Sequence, residues 1–214
     1  MKLYVYDHCP FCVKARAVFG LKNIPFELVI MLNDDEATPT QMIGKKMAPI
    51  LEHDGRYIPE SMEIVGHIDK MAGDRVLDGP RNPQIADWLS GVTGVLYPLA
   101  QPRWAASPLP EFATAEARDY FTRNKEKMFG SFADLLAASA SYIAEMDRHL
   151  LALNALIVAP DAVNGDVSED DIHLFAMLRG LSIVSGITYP PLVEAYRNRM
   201  AQRSGVQLHD HLAI

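Results

Sequence analysis

Residues 7 to 13 read DHCPFCV, and this stretch holds both cysteines of the 214-residue chain, Cys9 and Cys12. The preceding residues 2–6, KLYVY, predict a short strand, and the residues from Cys12 to about Leu21 place apolar side chains at helical spacing. The thiols therefore fall at a strand-to-helix junction. Two neighbouring thiols cannot form a disulfide scaffold for a chain of this size, so the pair indicates redox chemistry or metal binding.

The composition is that of an ordinary globular protein. Hydrophobic residues make up 49 %, charged residues 22 %, and the formal net charge is −7. An acidic balance argues against nucleic acid or an anionic membrane as partner. No apolar run approaches the roughly 18 residues that span a bilayer, and the N-terminus lacks the apolar core of a signal peptide. We therefore expect a cytoplasmic protein, in a compartment that keeps thiols reduced.

The first third of the chain predicts alternating strands and helices. Beyond the first strand and helix, the predicted elements are a strand over 24–32, a short helix over 39–43, strands at APILEH (48–53) and GRYIPE (55–60), and a helix over 61–72. Asp54–Gly55 is a hairpin turn signal between the last two strands, and Ser61 is a candidate N-cap. The order β-α-β-α-β-β-α, with CxxC at the first junction, is typical of the α/β thioredoxin fold.

The rest of the chain predicts helices only. Residues 73–84, rich in Gly, Pro and charge, predict a linker. The predicted helices cover 85–104, 131–157 (one amphipathic helix of about seven turns), 168–185 and 191–203. Pro98 and Pro102 are expected to kink or end the first of them. The predicted division is a thioredoxin-like domain over 1–72, the linker, and an all-α C-terminal domain over 85–214.

The CxxC spacing predicts unequal thiols. Cys9 should precede a helix N-terminus, where free N–H groups and the helix dipole lower the pKa of a thiol below about 8.5. Cys12 should lie one turn inside the helix, more buried and less ionised. Cys9 would then attack a disulfide, and Cys12 or an outside thiol would resolve the mixed disulfide. His8 and Lys14 could add positive potential, although solvated surface positions are favoured for both.

Other roles for the pair remain open at this point. Two structural cysteines, a zinc site, or an iron–sulfur cluster shared between two chains are the alternatives. One CxxC supplies only two of the four ligands of a zinc site, and no second pair completes it. His209 and His211 form an HxH motif, which we interpret as an exposed C-terminal tail. No metal is therefore expected.

Three further features support redox work. Pro49 opens a strand, and in this fold a proline there faces the CxxC in the cis form, freeing the backbone of Ala48 to pair with a peptide-like substrate; an ordinary edge-strand proline is the alternative. Glu60 and Ser61, at the mouth of a helix, suit the charged γ-glutamyl end of glutathione, although a simple N-cap would also explain them. Phe11 can pack against a ligand or shield Cys12.

CPFC, the proline of APIL and the Glu-Ser pair together resemble a glutaredoxin. With its helical second half, the chain resembles, along nearly its whole length, the two-domain bacterial glutaredoxin 2 type, which is built like a glutathione transferase. The resemblance implies a cytosolic, glutathione-dependent thiol–disulfide oxidoreductase that reduces glutathione mixed disulfides and protein disulfides. In that family pattern Cys9 is the nucleophile and Cys12 the resolving thiol. The residues that would hold glutathione are Phe11, Ala48, Pro49, Glu60 and Ser61.

The chain departs from the family pattern at two of these positions. Phe11 stands where the family commonly has tyrosine, so a hydroxyl is lost while stacking remains. Ala48 stands where valine is common, so the pocket wall is smaller. The partner of the glycyl carboxylate is not identified by any motif, and Lys45 or Lys46 is suggested by charge alone.

Two other functions compete with the oxidoreductase. A glutathione transferase that conjugates electrophiles shares the fold and the ligand, but transferases usually carry Ser, Tyr or a single Cys here and gain nothing from a resolving thiol. A non-catalytic sensor that docks partners through its helical half predicts a slowly reduced disulfide. The expected partners are glutathione and disulfide-containing or glutathionylated proteins, with the chain itself a monomer.

Overall fold

The computed structural model describes residues 1–71 and 73–214, and its N-terminal part (1–71) is a four-stranded sheet with helices. The elements are, in chain order, β1 (Lys2–Val5), α1 (Pro10–Leu21), β2 (Glu27–Ile30), α2 (Ala37–Ile43), β3 (Ile50–His53), β4 (Arg56–Pro59) and α3 (Ser61–Met71). The strand order is β2-β1-β3-β4; β1 pairs parallel with β2 and antiparallel with β3, and β3 pairs antiparallel with β4. The predicted order of elements is confirmed, although residue 72, the predicted end of α3, lies outside the described residues.

Local geometry explains the boundaries in this part. Asp54 and Gly55 both have positive φ (49° and 73°), as a tight hairpin turn between twisted strands requires. The strand predicted over 24–32 is shorter in the structure, where β2 covers Glu27–Ile30. Pro25, which has no N–H to donate to a ladder, lies before its first residue. The carbonyl of Glu60 accepts the first helical bond of α3, from Ile64 at 3.1 Å, so Glu60 is the N-cap and the prediction of Ser61 for that position is wrong by one residue.

The helical part (83–214) contains no named strand among its described residues. Its helices are α4 (Pro83–Ala106), α5 (Ala115–Phe129), α6 (Phe132–Ala137), α7 (Ser139–Asn154), α8 (Glu169–Leu181) and α9 (Pro191–Ser204), with short 3₁₀ turns at Pro110–Phe112 and Asp210–Leu212. The predicted fold class, a thioredoxin-like α/β part followed by helices in a glutathione-transferase-like architecture, is confirmed. No separate sequence pattern predicted α5.

Two of the predicted helices differ from the structure. Pro98 and Pro102 lie inside α4 without ending it; both are buried, and tertiary packing of this helix outweighs the missing hydrogen bonds. The single helix predicted over 131–157 is α6 and α7, which change direction at Ala138 (φ −86°, ψ 2°). Because both pack against α4, the apolar spacing continues across the break and conceals it.

Helix α1, which begins beside the thiols, is the element that joins the two parts. It packs against α3 on the sheet side and against α8 and α9 of the helical part. Its buried residues include Val13, Ala17 and Val18, which explains the apolar spacing seen in the sequence. The N-terminus of α8 carries a capping box in which the Ser168 N–H donates to Asp171 Oδ2 at 2.9 Å, fixing where that helix begins. No helix of the described chain is long and apolar enough to cross a membrane.

Candidate active site

The two thiols occupy different environments at the N-terminus of α1. Cys9 is the residue before the first helical position and is partly exposed, whereas Cys12 is fully buried inside the first turn. Pro10 takes the first helical position, where its missing N–H has no partner to lose. The backbone N–H of Tyr6, at the end of β1, lies 3.4 Å from Cys12 Sγ. Only Cys9 can therefore meet a substrate without a change in structure.

The electrostatics of the pair are also unequal. A hydrogen bond from Cys12 lowers the pKa of Cys9 to about 6, against the effect of burial, with help from the charge of His8 and the backbone N–H groups of Cys12 and Phe11. Burial, followed by that same hydrogen bond, raises the pKa of Cys12 well above its ordinary value. At neutral pH the arrangement holds a thiolate at Cys9 and a thiol at Cys12. The described residues include no group of three or more His, Cys, Asp or Glu side chains that could hold a metal ion.

His8 is buried, so the preference for a solvated surface position is wrong. Its side chain is 8 % exposed, and its ring Nδ1 lies 2.7 Å from Oε1 of Glu111, whose side chain is 0 % exposed. The backbone N–H of His8 donates to the same oxygen at 2.8 Å. Glu111 is 103 residues away in the sequence, so no local pattern near CxxC could have indicated this partner.

Asp7 ties the same loop to the C-terminal end of the chain. Burial alone would raise the pKa of Asp7, but His209, Arg179 and Arg16 hold it well below its usual range. His209 Nε2 lies 2.8 Å from Asp7 Oδ2, and His209 is only 2 % exposed. The interpretation of the HxH motif as an exposed tail is therefore wrong for His209, although His211 is exposed.

A cavity of about 290 Å³ opens beside Cys9 between the two parts of the chain. The residues of chemical interest in its lining are Cys9, Asn33, Lys46, Ala48, Asn124 and Lys125. Lys46 Nζ donates to the Asn33 carbonyl at 2.6 Å and lies 3.6 Å from the centroid of the Tyr120 ring. The described lining includes two lysines and no acidic side chain, so the cavity suits a ligand that carries a carboxylate.

The predicted ligand-binding residues do not all line this cavity. Ala48 does, and the following peptide bond to Pro49 is cis, as the sequence pattern led us to expect. Phe11 is 51 % exposed and lies in a neighbouring groove of about 230 Å³ with Lys14 and Tyr97. Phe11 and Ala48 therefore line different concavities near the CxxC turn.

Glu60 and Ser61 lie at the N-terminus of α3. Glu60 has φ 67° and its half-exposed carboxylate lies 3.6 Å from Lys45 Nζ, whereas Ser61 is buried. Neither residue lines the cavity beside Cys9. Lys45 is engaged with Glu60, which separates its surroundings from those of Lys46.

The fold brings three residues to the site that no sequence pattern indicated: Glu111, Tyr97 and Lys125. Tyr97 lies on α4 close enough to Cys9 that, after burial, the charge of that thiolate raises the pKa of the phenol. All three come from the helical part, where no short motif marks them. Their identification required the packing of that part against the CxxC turn.

A thioredoxin-like sheet with unequal thiols at its first strand-to-helix junction, joined to a helical part, defines a dithiol protein of glutathione-transferase architecture. Comparison with known families supports this architecture for each of the two parts. The family described as "Glutathione S-transferase, N-terminal domain" matches residues 3–76, and "Glutaredoxin 2, C terminal domain" matches residues 84–213.

Comparison with individual proteins shows the family of the whole chain. The chain is 52 % identical to glutaredoxin 2 of Escherichia coli K12 over 215 residues, covering 100 % of both chains. A 1.2 Å crystal structure of glutaredoxin 2 from Salmonella typhimurium in complex with glutathione superposes with a TM-score of 0.98 at 54 % identity, covering 100 % of this chain and 98 % of that one. The chain belongs to the glutaredoxin 2 family.

More distant structures share only the fold. A glutathione S-transferase from Ceriporiopsis subvermispora in complex with glutathione has a TM-score of 0.72 at 16 % identity, covering 97 % of each chain. The transferase architecture is thus common to proteins with little sequence in common, and the thiol pair must be considered separately from it.

Proposed function

We propose that Cys9 is the nucleophile with which this chain, a glutathione-dependent thiol–disulfide oxidoreductase, reduces glutathione mixed disulfides and protein disulfides. The observation that carries the proposal is the inequality of the two thiols. Cys9 is partly exposed with a pKa lowered to about 6, while Cys12 is buried with a raised pKa. Thiol–disulfide exchange requires an accessible thiolate, and here it lies beside a second thiol that is buried and protonated.

The proposed reaction on a mixed disulfide uses Cys9 alone. The Cys9 thiolate attacks the glutathione sulfur of the substrate, the substrate disulfide breaks, and the released thiolate takes a proton from solvent. A bond now joins Cys9 to the glutathionyl group. A second glutathione, as thiolate, attacks the glutathionyl sulfur of this adduct; oxidised glutathione leaves and the Cys9 thiolate is restored. In the net reaction, the glutathionyl group of the substrate and one added glutathione form oxidised glutathione, and the substrate is released as a free thiol.

Reduction of a protein disulfide adds Cys12. After Cys9 forms a mixed disulfide with the substrate protein, Cys12 loses its proton and attacks Cys9 Sγ, which releases the substrate as a dithiol. The Cys9–Cys12 disulfide is then reduced by two glutathione molecules. Because the interaction with Cys12 is the largest cause that lowers the pKa of Cys9, the two sulfurs lie near each other, which favours this attack.

We further propose that glutathione lies across the N-terminal part at the mouth of the cavity. The backbone of Ala48 beside cis-Pro49 would pair with its cysteinyl residue, and Glu60 and Ser61 at the start of α3 would hold its γ-glutamyl end. Of the two lysines suggested by charge, Lys46 lines the cavity beside Cys9, whereas Lys45 pairs with Glu60. We assign the glycyl carboxylate to Lys46. Phe11 would pack against the outer side of a bound substrate.

The cellular setting follows from the same chemistry. A glutathione-dependent reductase needs a compartment in which glutathione is kept reduced, so we place the chain in the cytoplasm. Its proposed macromolecular substrates are glutathionylated and disulfide-containing proteins. We propose that it acts as a monomer.

The test is glutathione-dependent reduction of a small glutathione mixed disulfide by wild type, Cys9→Ser and Cys12→Ser. We expect rapid turnover by wild type, none by Cys9→Ser, and substantial turnover by Cys12→Ser, because free glutathione can resolve the Cys9 adduct. Cys12→Ser should lose the reduction of protein disulfides. An inactive wild type that instead conjugates an aromatic electrophile to glutathione would establish the transferase function and overturn the proposal.

A further inference from the structure

We propose that Glu111, in the helical part, is a positioning residue of the active site, because it orients the imidazole of His8 next to Cys9. The proposal rests on the proposed role of Cys9 as nucleophile. It assigns to the helical part a direct task in the chemistry of a thiol that belongs to the other part of the chain.

The contact between the two residues is doubly fixed. Glu111 Oε1 accepts from the backbone N–H of His8 at 2.8 Å and lies 2.7 Å from its ring Nδ1. The main chain of Glu111 is held as well, since its carbonyl accepts from the Asn33 N–H at 2.9 Å. The imidazole therefore has one orientation relative to the backbone that leads into Cys9.

The carboxylate of Glu111 is a polar partner of the His8 ring in surroundings that are otherwise largely aromatic. Aromatic ring centroids lie 5.1 Å (Trp104), 5.2 Å (Phe112) and 5.0 Å (Phe121) from the imidazole centroid. Such an apolar enclosure disfavours an isolated charge, whereas a buried carboxylate at hydrogen-bond distance stabilises it. Burial alone would raise the pKa of Glu111, but its hydrogen bond with His8 and the charge of His8 lower it, so the carboxylate stays ionised at neutral pH.

The pair acts in opposite directions on the two thiols. The hydrogen bond from Cys12 is the largest cause that lowers the pKa of Cys9, and the positive charge of His8 adds to it. Burial is the largest cause that raises the pKa of Cys12, and the negative charge of Glu111 adds to it. The His8–Glu111 pair thus favours a thiolate at Cys9 and a protonated thiol at Cys12.

Other charged or titratable groups surround His8. Among the described residues, only Glu111 is hydrogen-bonded to the His8 ring. They come from the end of β1, the loop that follows, α1, the loop before β3, and α5: Tyr6, Asp7, Cys9, Cys12, Lys46, Arg118, Tyr120 and Lys125. Asp7 is bound to Arg16, Arg179 and His209. Arg118 lies over the ring of Phe112 and Lys125 over the ring of Phe121.

The test is the pH profile of Cys9 alkylation by iodoacetamide, which reports the thiolate and needs no glutathione. Glu111→Gln keeps an acceptor for His8 and removes the charge. We expect the midpoint to rise by roughly one unit, since a nearby charge shifts a pKa by about one to three units. Alkylation at pH 6 should then be about fivefold slower than in wild type.

A double-mutant cycle shows whether Glu111 acts through His8. His8→Gln should raise the midpoint similarly, and Glu111→Gln should add almost nothing in the His8→Gln background. An unchanged midpoint in Glu111→Gln, or an equal further rise in the His8→Gln background, would overturn the proposal. If Glu111→Gln does not fold, His8→Gln still decides, because an unchanged midpoint there removes the group through which Glu111 is said to act.

Asp171→Asn is the matched control. It also removes a buried carboxylate from the helical part, but Asp171 caps α8 and contacts Val163, Ser168 and Tyr196, not His8. We expect a lower melting temperature and an unchanged Cys9 midpoint; a shifted midpoint would mean that loss of stability alone explains the result. Failure of the proposed function would appear elsewhere, as glutathione-dependent activity that survives Cys9→Ser.

Discussion

Asp7 and Arg179, 172 residues apart in the sequence, form an ion pair of 2.8 Å between the loop that leads to Cys9 and helix α8. Arg179 is 2 % exposed, and it also donates to the carbonyls of Asp7 and Gln207. The guanidinium therefore supplies hydrogen-bond donors to one carboxylate and two backbone carbonyls. It links the active-site loop, the buried helix α8 and the C-terminal segment at a single point.

Replacement of Arg179 by methionine should destabilise the protein strongly. The side-chain volume is nearly kept, but two carbonyls and one carboxylate lose a buried donor, so we expect a loss of about 3 kcal/mol in the free energy of unfolding. Urea denaturation measures it. Arg199→Met is the control, because Arg199 pairs with Asp161 on the surface, where ion pairs contribute little. Equal losses in the two variants would contradict the assigned role of Arg179.

Acid should destabilise the protein before its carboxylates titrate, through His173. Burial, followed by the charges of Lys14 and Arg81, lowers the pKa of His173 from 6.5 to about 4. Between these two values the unfolded chain binds a proton that the folded chain does not, so the free energy of unfolding falls as the pH falls from about 6.5 to 4. His173→Gln should flatten this part of the profile, whereas substitution of the exposed His211 should leave it unchanged. Urea denaturation at several pH values measures how the free energy of unfolding of each variant depends on pH.

The contact of α1 with α9 leaves no space for a side chain at Gly20. A Cβ built there would lie 1.8 Å from the Ser204 carbonyl oxygen, a backbone atom that cannot turn aside. Gly20→Ala should therefore separate the helices and cost roughly 1–3 kcal/mol, as overpacking does. At Gly66, in α3, an added Cβ meets nothing within 4 Å. Gly66→Ala should stabilise by roughly 0.5–1 kcal/mol, because alanine loses less conformational entropy in a helix. In thermal unfolding, the melting temperature should fall in Gly20→Ala and rise in Gly66→Ala.

What the sequence predicted well depends on short-range patterns. The CxxC spacing, the Asp54–Gly55 turn and the proline before β3 each lie within a few residues, and each was located correctly. The element order of the N-terminal part follows partly from such signals, because Pro10, Pro49, Asp54 and Gly55 have special backbone preferences and lie at boundaries of its strands and helices.

What the sequence did not predict depends on contacts across the fold. His8 and His209 were interpreted as surface residues, since a histidine beside polar neighbours gives no sign of a buried carboxylate elsewhere in the chain. Glu111 and Asp7 supply those carboxylates. The break at Ala138 was missed for a related reason: a shared packing partner keeps the apolar spacing intact across two helices. The residues that adjust the thiols are therefore less visible in the sequence than the thiols themselves.

Lys46 offers a direct test of how glutathione is held. If it binds the glycyl carboxylate, Lys46→Met removes one charge-assisted hydrogen bond and should raise the KM for glutathione roughly tenfold. The kcat should change little, since Lys46 Nζ is hydrogen-bonded to the Asn33 carbonyl and not to either thiol. Lys45→Met is the matched neighbour: its amine lies on the surface beside Glu60, so we expect a change in KM of less than about threefold, as for other exposed ion pairs. A larger rise in KM in Lys45→Met than in Lys46→Met would show that the assignment of the carboxylate to Lys46 is wrong. Glutathione would then lie nearer α3 than the cavity beside Cys9.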